Sequence, residues 1–248
     1  MKLPIYFISD NHFLLEKNEL ELERRTKLFS LLDKIQKTGG TLIIGGDFFD
    51  FWVESFYGIP NYYNDILDKL EKLNRHHIKI HYIVGNHDYW DFGFLNKKCG
   101  VIIHKKDFLF KIDKQKILVT HGDGLLKDDY KYRFMKKIIR SKLFILLVRL
   151  VPSSVMTIIA KKISGTKSKF GKLQNLPKKY KDELEEYAIK QIDNYNIHTV
   201  LMGHYHQLGI KKINNKQFIH MGDWINQYTV TWIDKNYEWH QKKWTTKN

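Results

Sequence analysis

A chain of 248 residues that is 43% hydrophobic and 14% aromatic can bury the core of one large α/β domain or of two small ones, which excludes a disordered protein. One cysteine, Cys99, excludes an internal disulfide and suits a reducing compartment. The net charge of +15 is concentrated: residues 127–172 hold 13 Lys/Arg against two acids, Asp128 and Asp129, a local balance of +11 that leaves an ordinary +4 elsewhere. Such a patch attracts phosphate groups, whether on nucleic acid, lipid headgroups or a charged substrate.

The N-terminal "MKLPIYFISDNHF" lacks the basic region, long apolar run and cleavage site of a signal peptide, and reads as the first strand of a cytoplasmic protein. "PIYFIS" (4–9) reads as a buried strand. Residues 18–37 follow a helical period with Leu20, Leu22, Leu28, Leu31, Leu32 and Ile35 on one side. "TLIIGG" (41–46) is a second strand, 62–74 a short helix, and "IKIHYIVG" (78–85) a third strand. Short strands are expected at 101–103, 107–112 and 116–122. Residues 127–195 read as largely helical, broken near Pro152, Gly165 and Pro177. "HTVLMG" (198–203) and a run of strands over 208–243 complete the chain. This order predicts one α/β domain over 1–248, a two-sheet sandwich flanked by helices, with a helical cap inserted at 126–176.

Five short segments follow apolar strands, where ligand sites of α/β folds lie. "FISDNHF" offers Asp10 and His12, whose spacing of two lets both side chains point the same way from an extended chain. "IIGGDFFDFW" offers Asp47 and Asp50, and "IVGNHDYW" offers Asn86, His87 and Asp88. "LVTHGDG" offers His121 and Asp123, and "LMGHYHQ" offers His204 and His206. Each fragment alone is commonplace. Together they supply carboxylates, an amide and imidazoles without a thiolate, which suit Mn²⁺, Fe²⁺, Zn²⁺ or Co²⁺. Seven donors are too many for one ion and fit two that share a carboxylate, an arrangement suited to hydrolysis of phosphoesters or pyrophosphates.

The ordered set "DNH", "GDFFD", "GNHD", "THG" and "GHYH" resembles the calcineurin-like metallophosphoesterase superfamily. The resemblance implies that Asp10, His12, Asp47 and His206 hold one metal, and Asp47, Asn86, His121 and His204 the other, with Asp47 bridging. It also implies that His87 stabilises or protonates the leaving oxygen and that Asp88 orients His87. "GDFFDFW", "THGDGLLKDDYKYR", the basic-apolar block after it and "MGDW" (221–224) further resemble the UDP-2,3-diacylglucosamine hydrolases, peripheral inner-membrane enzymes of lipid A biosynthesis. That narrower likeness implies hydrolysis of a lipid-linked sugar nucleotide to UMP and a diacylated glucosamine 1-phosphate, two divalent ions with Mn²⁺ expected, and substrate contacts at Asp129 and Lys172. In one position the chain departs from the best-known of these enzymes: His87 stands where they carry Arg.

"LFILLVRLVPSSVMTIIA" (143–160), set among lysines and arginines, decides between substrates. The run is short for a membrane span, contains Arg149, is split by Pro152-Ser153-Ser154, and lies between His121 and His204, which must meet in one site. It reads as a two-helix cap whose aliphatic face accepts acyl chains while its cations grip the pyrophosphate or an anionic inner-membrane surface. A phosphoesterase for nucleic acid or soluble nucleotides is the alternative, but a strand-binding groove spreads aromatics among its cations, and the centre here is aliphatic. No nucleic-acid partner is therefore expected, and the expected state is a monomer.

Overall fold

The computed structural model describes residues 1–164 and 175–246. In chain order its elements are β1 (Ile5–Ile8), α1 (Glu19–Thr38), β2 (Thr41–Ile44), α2 (Asn64–Arg75), β3 (Lys79–Ile83), α3 (Phe94–Cys99) and β4 (Ile102–His104). Next come β5 (Phe108–Ile112), β6 (Gln115–Thr120), α4 (Tyr130–Ile139), α5 (Lys142–Leu150), α6 (Ser153–Ile163) and α7 (Lys178–Tyr195). The chain ends with β7 (Thr199–Met202), β8 (Leu208–Ile213), β9 (Lys216–Met221), β10 (Thr229–Ile233) and β11 (Trp239–Lys243).

One sheet has the order β11-β10-β1-β2-β3-β4 and the other β5-β6-β7-β9-β8. The central strands β1 to β4, and likewise β6, β7 and β9, are parallel. Their residues alternate between two cores. Ile5, Phe7, Ile43 and Ile83 meet Ile117, Val119, Leu201, Ile219 and Met221 between the sheets, whereas Tyr6, Ile8, Leu42 and Ile44 face the helical layer of α1 and α2. On the far side α7 lays Leu184, Ala188 and Ile192 over Val200 and Phe218. Strands covered on both faces must be apolar at every position, which is why they are legible as unbroken apolar runs.

Two local expectations change. Leu20 and Leu22 of α1 are exposed, and the first turns of that helix instead bury Glu21, Arg24 and Arg25. This part of the helix packs on loop backbone, whose carbonyls require donors, rather than on the sheet. Helix α3 was not foreseen, being six residues long and too short to display a period.

The insertion is a cap of α4, α5 and α6; the break expected at Gly165 lies outside the described residues. Pro152 caps α6, and α5 and α6 are bent by 110°. The pair has the length and composition of a broken span, but no single described helix is long and apolar enough to cross a membrane. Val148 and Met156 seat the cap on Val53, helped by Phe51, Trp90, Phe144 and Val151. The Arg149 guanidinium lies 4.2 Å from the Phe56 ring and 4.6 Å from that of Phe92, pinning α5 to the domain. Most other apolar cap residues face outward, from Ile159 at 41% exposure to Leu143 at 69%.

Candidate metal centre

The loops after β1 and β2 continue side by side beyond the strands. Asp10 N–H donates to the Gly46 carbonyl at 3.0 Å, His12 N–H to Asp47 at 2.9 Å and Phe13 N–H to Phe48 at 3.1 Å. Asp10, His12, Asp47, His204 and His206 all have positive φ, between 44° and 64°. Left-handed backbone is unfavourable for residues with a Cβ and persists where surrounding contacts impose it. The shared direction of Asp10 and His12 therefore comes from a left-handed loop after the strand end, not from strand alternation as the sequence suggested.

The seven expected donors converge at the C-terminal ends of β1, β2, β3, β6 and β7. Asp10, His12 and His206 form one group of potential ligand atoms, and Asp47, His121 and His204 another. Asp47 Oδ2 faces both, 3.6 Å from His12 Nε2 and 3.3 Å from His121 Nε2, while its Oδ1 accepts the His87 N–H at 2.9 Å. Asn86 Oδ1 lies 3.3 Å from His121 Nε2, and His206 Nε2 lies 3.7 Å from Asp10 Oδ1. Gly85 leaves the room needed, because a Cβ there would stand 2.1 Å from Asp47 Oδ1.

These donors fit divalent ions. Ligand atoms each about 2.1 Å from one ion stand roughly 3–4 Å from one another, which is the spacing seen here. Among the described residues neither buried ring nitrogen of His12 makes a hydrogen bond, an expensive state for polar atoms with no other role. Burial pushes His12 and His204 down to about 3, so both are offered as neutral imidazoles, the form that ligates. Burial opposes charge on His121 as well, but the Asp47 carboxylate beside it outweighs that and pushes it up to about 10. The pocket thus favours positive charge next to Asp47.

Tautomers are set from behind. A carbonyl can only accept, so His121 Nδ1 must donate to Gly45 O at 2.9 Å and His87 Nδ1 to Asp50 O at 2.6 Å. Both Nε2 atoms are then turned toward Asp47. His206 Nδ1 lies 3.4 Å from Asp223 Oδ2. Asp223 was not singled out as a site residue; its only sequence signal is the "MGDW" stretch after the strand now seen as β9.

One residue does other work than expected. Asp88 does not hold His87. Its carboxylate accepts Phe48 N–H at 2.8 Å, Gly85 N–H at 2.6 Å and the Tyr82 hydroxyl, bracing the Asp47 turn, and burial together with nearby Asp47 pushes it up to about 6. The carbonyl of Asp50 orients His87 instead. Asp129 turns its Oδ2 back onto the Leu126 N–H at 3.3 Å, a local cap. Lys172 lies outside the described residues. Asp123, two residues after His121, receives the Tyr132 hydroxyl at 2.7 Å and Lys136 at 2.5 Å, with Arg140 at 3.6 Å, tying the cap to the donor cluster.

Residues 3–208 match the family model for calcineurin-like phosphoesterases. The chain belongs to the calcineurin-like phosphoesterase family. It is a metal-dependent hydrolase with two sheets flanked by helices. Among curated relatives, the UDP-2,3-diacylglucosamine hydrolase of Porphyromonas gingivalis is 26% identical over 93% of this chain and 94% of its own length. That of Neisseria meningitidis serogroup A is 27% identical over 91% of both chains, and that of Haemophilus influenzae 27% over 90% of this chain and 91% of its own. A solved archaeal phosphodiesterase covers 96% of this chain and 98% of its own at 15% identity, with a TM-score of 0.46.

Proposed function

We propose that the protein hydrolyses the pyrophosphate of a lipid-linked sugar nucleotide, UDP-2,3-diacylglucosamine, to UMP and 2,3-diacylglucosamine 1-phosphate in lipid A biosynthesis. The supporting observation is the pairing of a two-ion donor set with a tethered cap that exposes aliphatic side chains. The names of the relatives support the same substrate.

Two divalent ions, with Mn²⁺ expected, would when bound supply charge neutralisation at the phosphoryl group and an acidified water. Asp10, His12, Asp47 and His206 would hold one ion, and Asp47, Asn86, His121 and His204 the other. His87 points its Nε2 inward from a ring 25% exposed, 4.0 Å from Asp47 Oδ2, where a proton on it can be given to the departing oxygen. The cap's outward leucines and isoleucines receive the acyl chains. Much of the basic patch is occupied internally: Arg133 donates to the carbonyls of Gly124 and Leu126, Lys136 and Arg140 hold Asp123, and Arg149 is stacked on phenylalanines. The exposed Lys131, Lys137, Lys142 and Lys162 are left to meet an anionic membrane surface, with the enzyme a monomer peripheral to the cytoplasmic face of the inner membrane.

With Mn²⁺, purified protein should release UMP from UDP-2,3-diacylglucosamine far faster than from UDP-N-acetylglucosamine. Equal rates would overturn the lipid reading in favour of a soluble-nucleotide phosphoesterase.

A further inference from the structure

The first turns of α1 bury charge where a helix facing a sheet would bury leucine. Glu21 and Arg24 have no exposed surface, and Arg25 has almost none. Arg24 Nη1 lies 2.5 Å from Glu21 Oε2. Its guanidinium also donates to the carbonyls of Asn11, of His12 at 3.3 Å and of Trp224 at 3.3 Å. The Trp224 indole donates back to the Arg24 carbonyl at 3.2 Å, and Trp224 N–H donates to Asp10 O at 3.1 Å. Glu21 Oε1 accepts Leu14 N–H at 3.1 Å. One guanidinium thus joins the loop carrying Asp10 and His12 to the turn carrying Asp223, which lies against His206.

A buried ion pair stabilises a fold poorly compared with apolar side chains of similar volume. What an arginine offers here is a rigid fork of donors that fixes several carbonyls at once. The Asn11 and His12 carbonyls belong to, or flank, residues held at φ 52° (Asp10) and 44° (His12). The second donor group is set by other bonds, through Gly45, His87 and Asp88.

We infer that Arg24, braced by Glu21, is a positioning residue for one half of the metal centre: it holds the Asn11, His12 and Trp224 backbone so that Asp10, His12 and His206 converge on one ion. The inference rests on the two-ion reading. A purely structural Arg24 would lower stability without selecting between the two halves.

The test is Mn²⁺ binding to the full chain, by calorimetry and by electron paramagnetic resonance of the bound ions, with melting in EDTA as the measure of fold stability. Wild type should bind two equivalents. Arg24→Met should weaken one by about tenfold or more, the usual effect of removing an outer support of a ligand, and should lose the signal of the coupled pair while keeping the other equivalent. Arg24→Lys should shift the same way by less. Leu28→Ala, buried on the same helix, should lower the melting temperature and keep both equivalents. Wild-type Mn²⁺ binding by Arg24→Met, or equal metal loss in Leu28→Ala at equal melting temperature, overturns the inference. Should Arg24→Met not fold, Arg24→Lys and Glu21→Gln decide it: selective weakening supports it and unchanged binding by both overturns it. A wild type binding fewer than two ions overturns the two-ion reading instead.

Discussion

The carboxylate of Asp223 lies 3.4 Å from Nδ1 of His206, and its other oxygen accepts the N–H groups of Ile225, Asn226 and Gln227 at 2.7–3.0 Å. The acid fixes the ring and, on the two-ion reading, would strengthen Nε2 as a donor to a metal. Asp223→Asn keeps an acceptor for the turn but loses the charge facing the ring. Its activity should need about 10–100-fold more Mn²⁺ for half-saturation, read from activity against free Mn²⁺, with little change in melting temperature.

Asp47 Oδ2 faces both donor groups, so on the two-ion reading its loss would remove the ligand they share. Asp47→Ala should abolish Mn²⁺-dependent hydrolysis of bis(p-nitrophenyl) phosphate while its circular dichroism and melting stay close to wild type. Turnover at the wild-type rate would remove Asp47 from the centre.

His87 should behave as a proton donor rather than as a ligand. His87→Gln should lower kcat by about 10²–10⁴-fold on the pyrophosphate substrate, with a smaller loss on bis(p-nitrophenyl) phosphate, whose phenolate departs with little need of a proton. An equal loss on both substrates, accompanied by weaker Mn²⁺ binding, would place His87 among the ligands.

The outward side chains of the cap are free of folding duties. Leu143→Ser with Leu147→Ser should change stability by no more than about 0.5 kcal/mol per site, judged by urea denaturation. The pair should slow turnover of the diacylated substrate and leave bis(p-nitrophenyl) phosphate untouched.

Outside the centre, His220 on β9 is pushed down to about 4 by burial and by Lys181. The unfolded chain then binds the proton more readily than the folded one between pH 6.5 and 4, so this histidine costs stability as the pH falls through that window. His220→Gln should remove a destabilisation that reaches about 3 kcal/mol near pH 4. Denaturation of both forms at pH 7 and pH 4 measures it; a difference that does not change with pH would exclude the effect.

Some of this molecule is written locally. The doubly covered strands β1, β2, β3, β6 and β7 appear as apolar runs, and Asp10, His12, Asp47, Asn86, His121, His204 and His206 stand immediately after them, so residue type and strand-end position marked them as candidates, and the family resemblance chose them from among their neighbours. Pro152 likewise marks the bend between α5 and α6. Helix α3 was too short for its period to register, and Glu21, Arg24 and Arg25 looked like surface charge because nothing local announces the loop carbonyls they would meet.

The sequence by itself determined the family, the α/β layering and where the candidate donors stand, because each is marked by residue patterns local to the strands and the loops after them. Only the tertiary structure decided which atoms face which: Asp47 Oδ2 to both donor groups, Asp88 to the Asp47 turn rather than to His87, Asp223 behind His206, and Arg24 beneath two loops some 200 residues apart. Those assignments rest on distances between segments remote in the chain, fixed when the two sheets close on their common core. Spacing along the sequence carries no record of them.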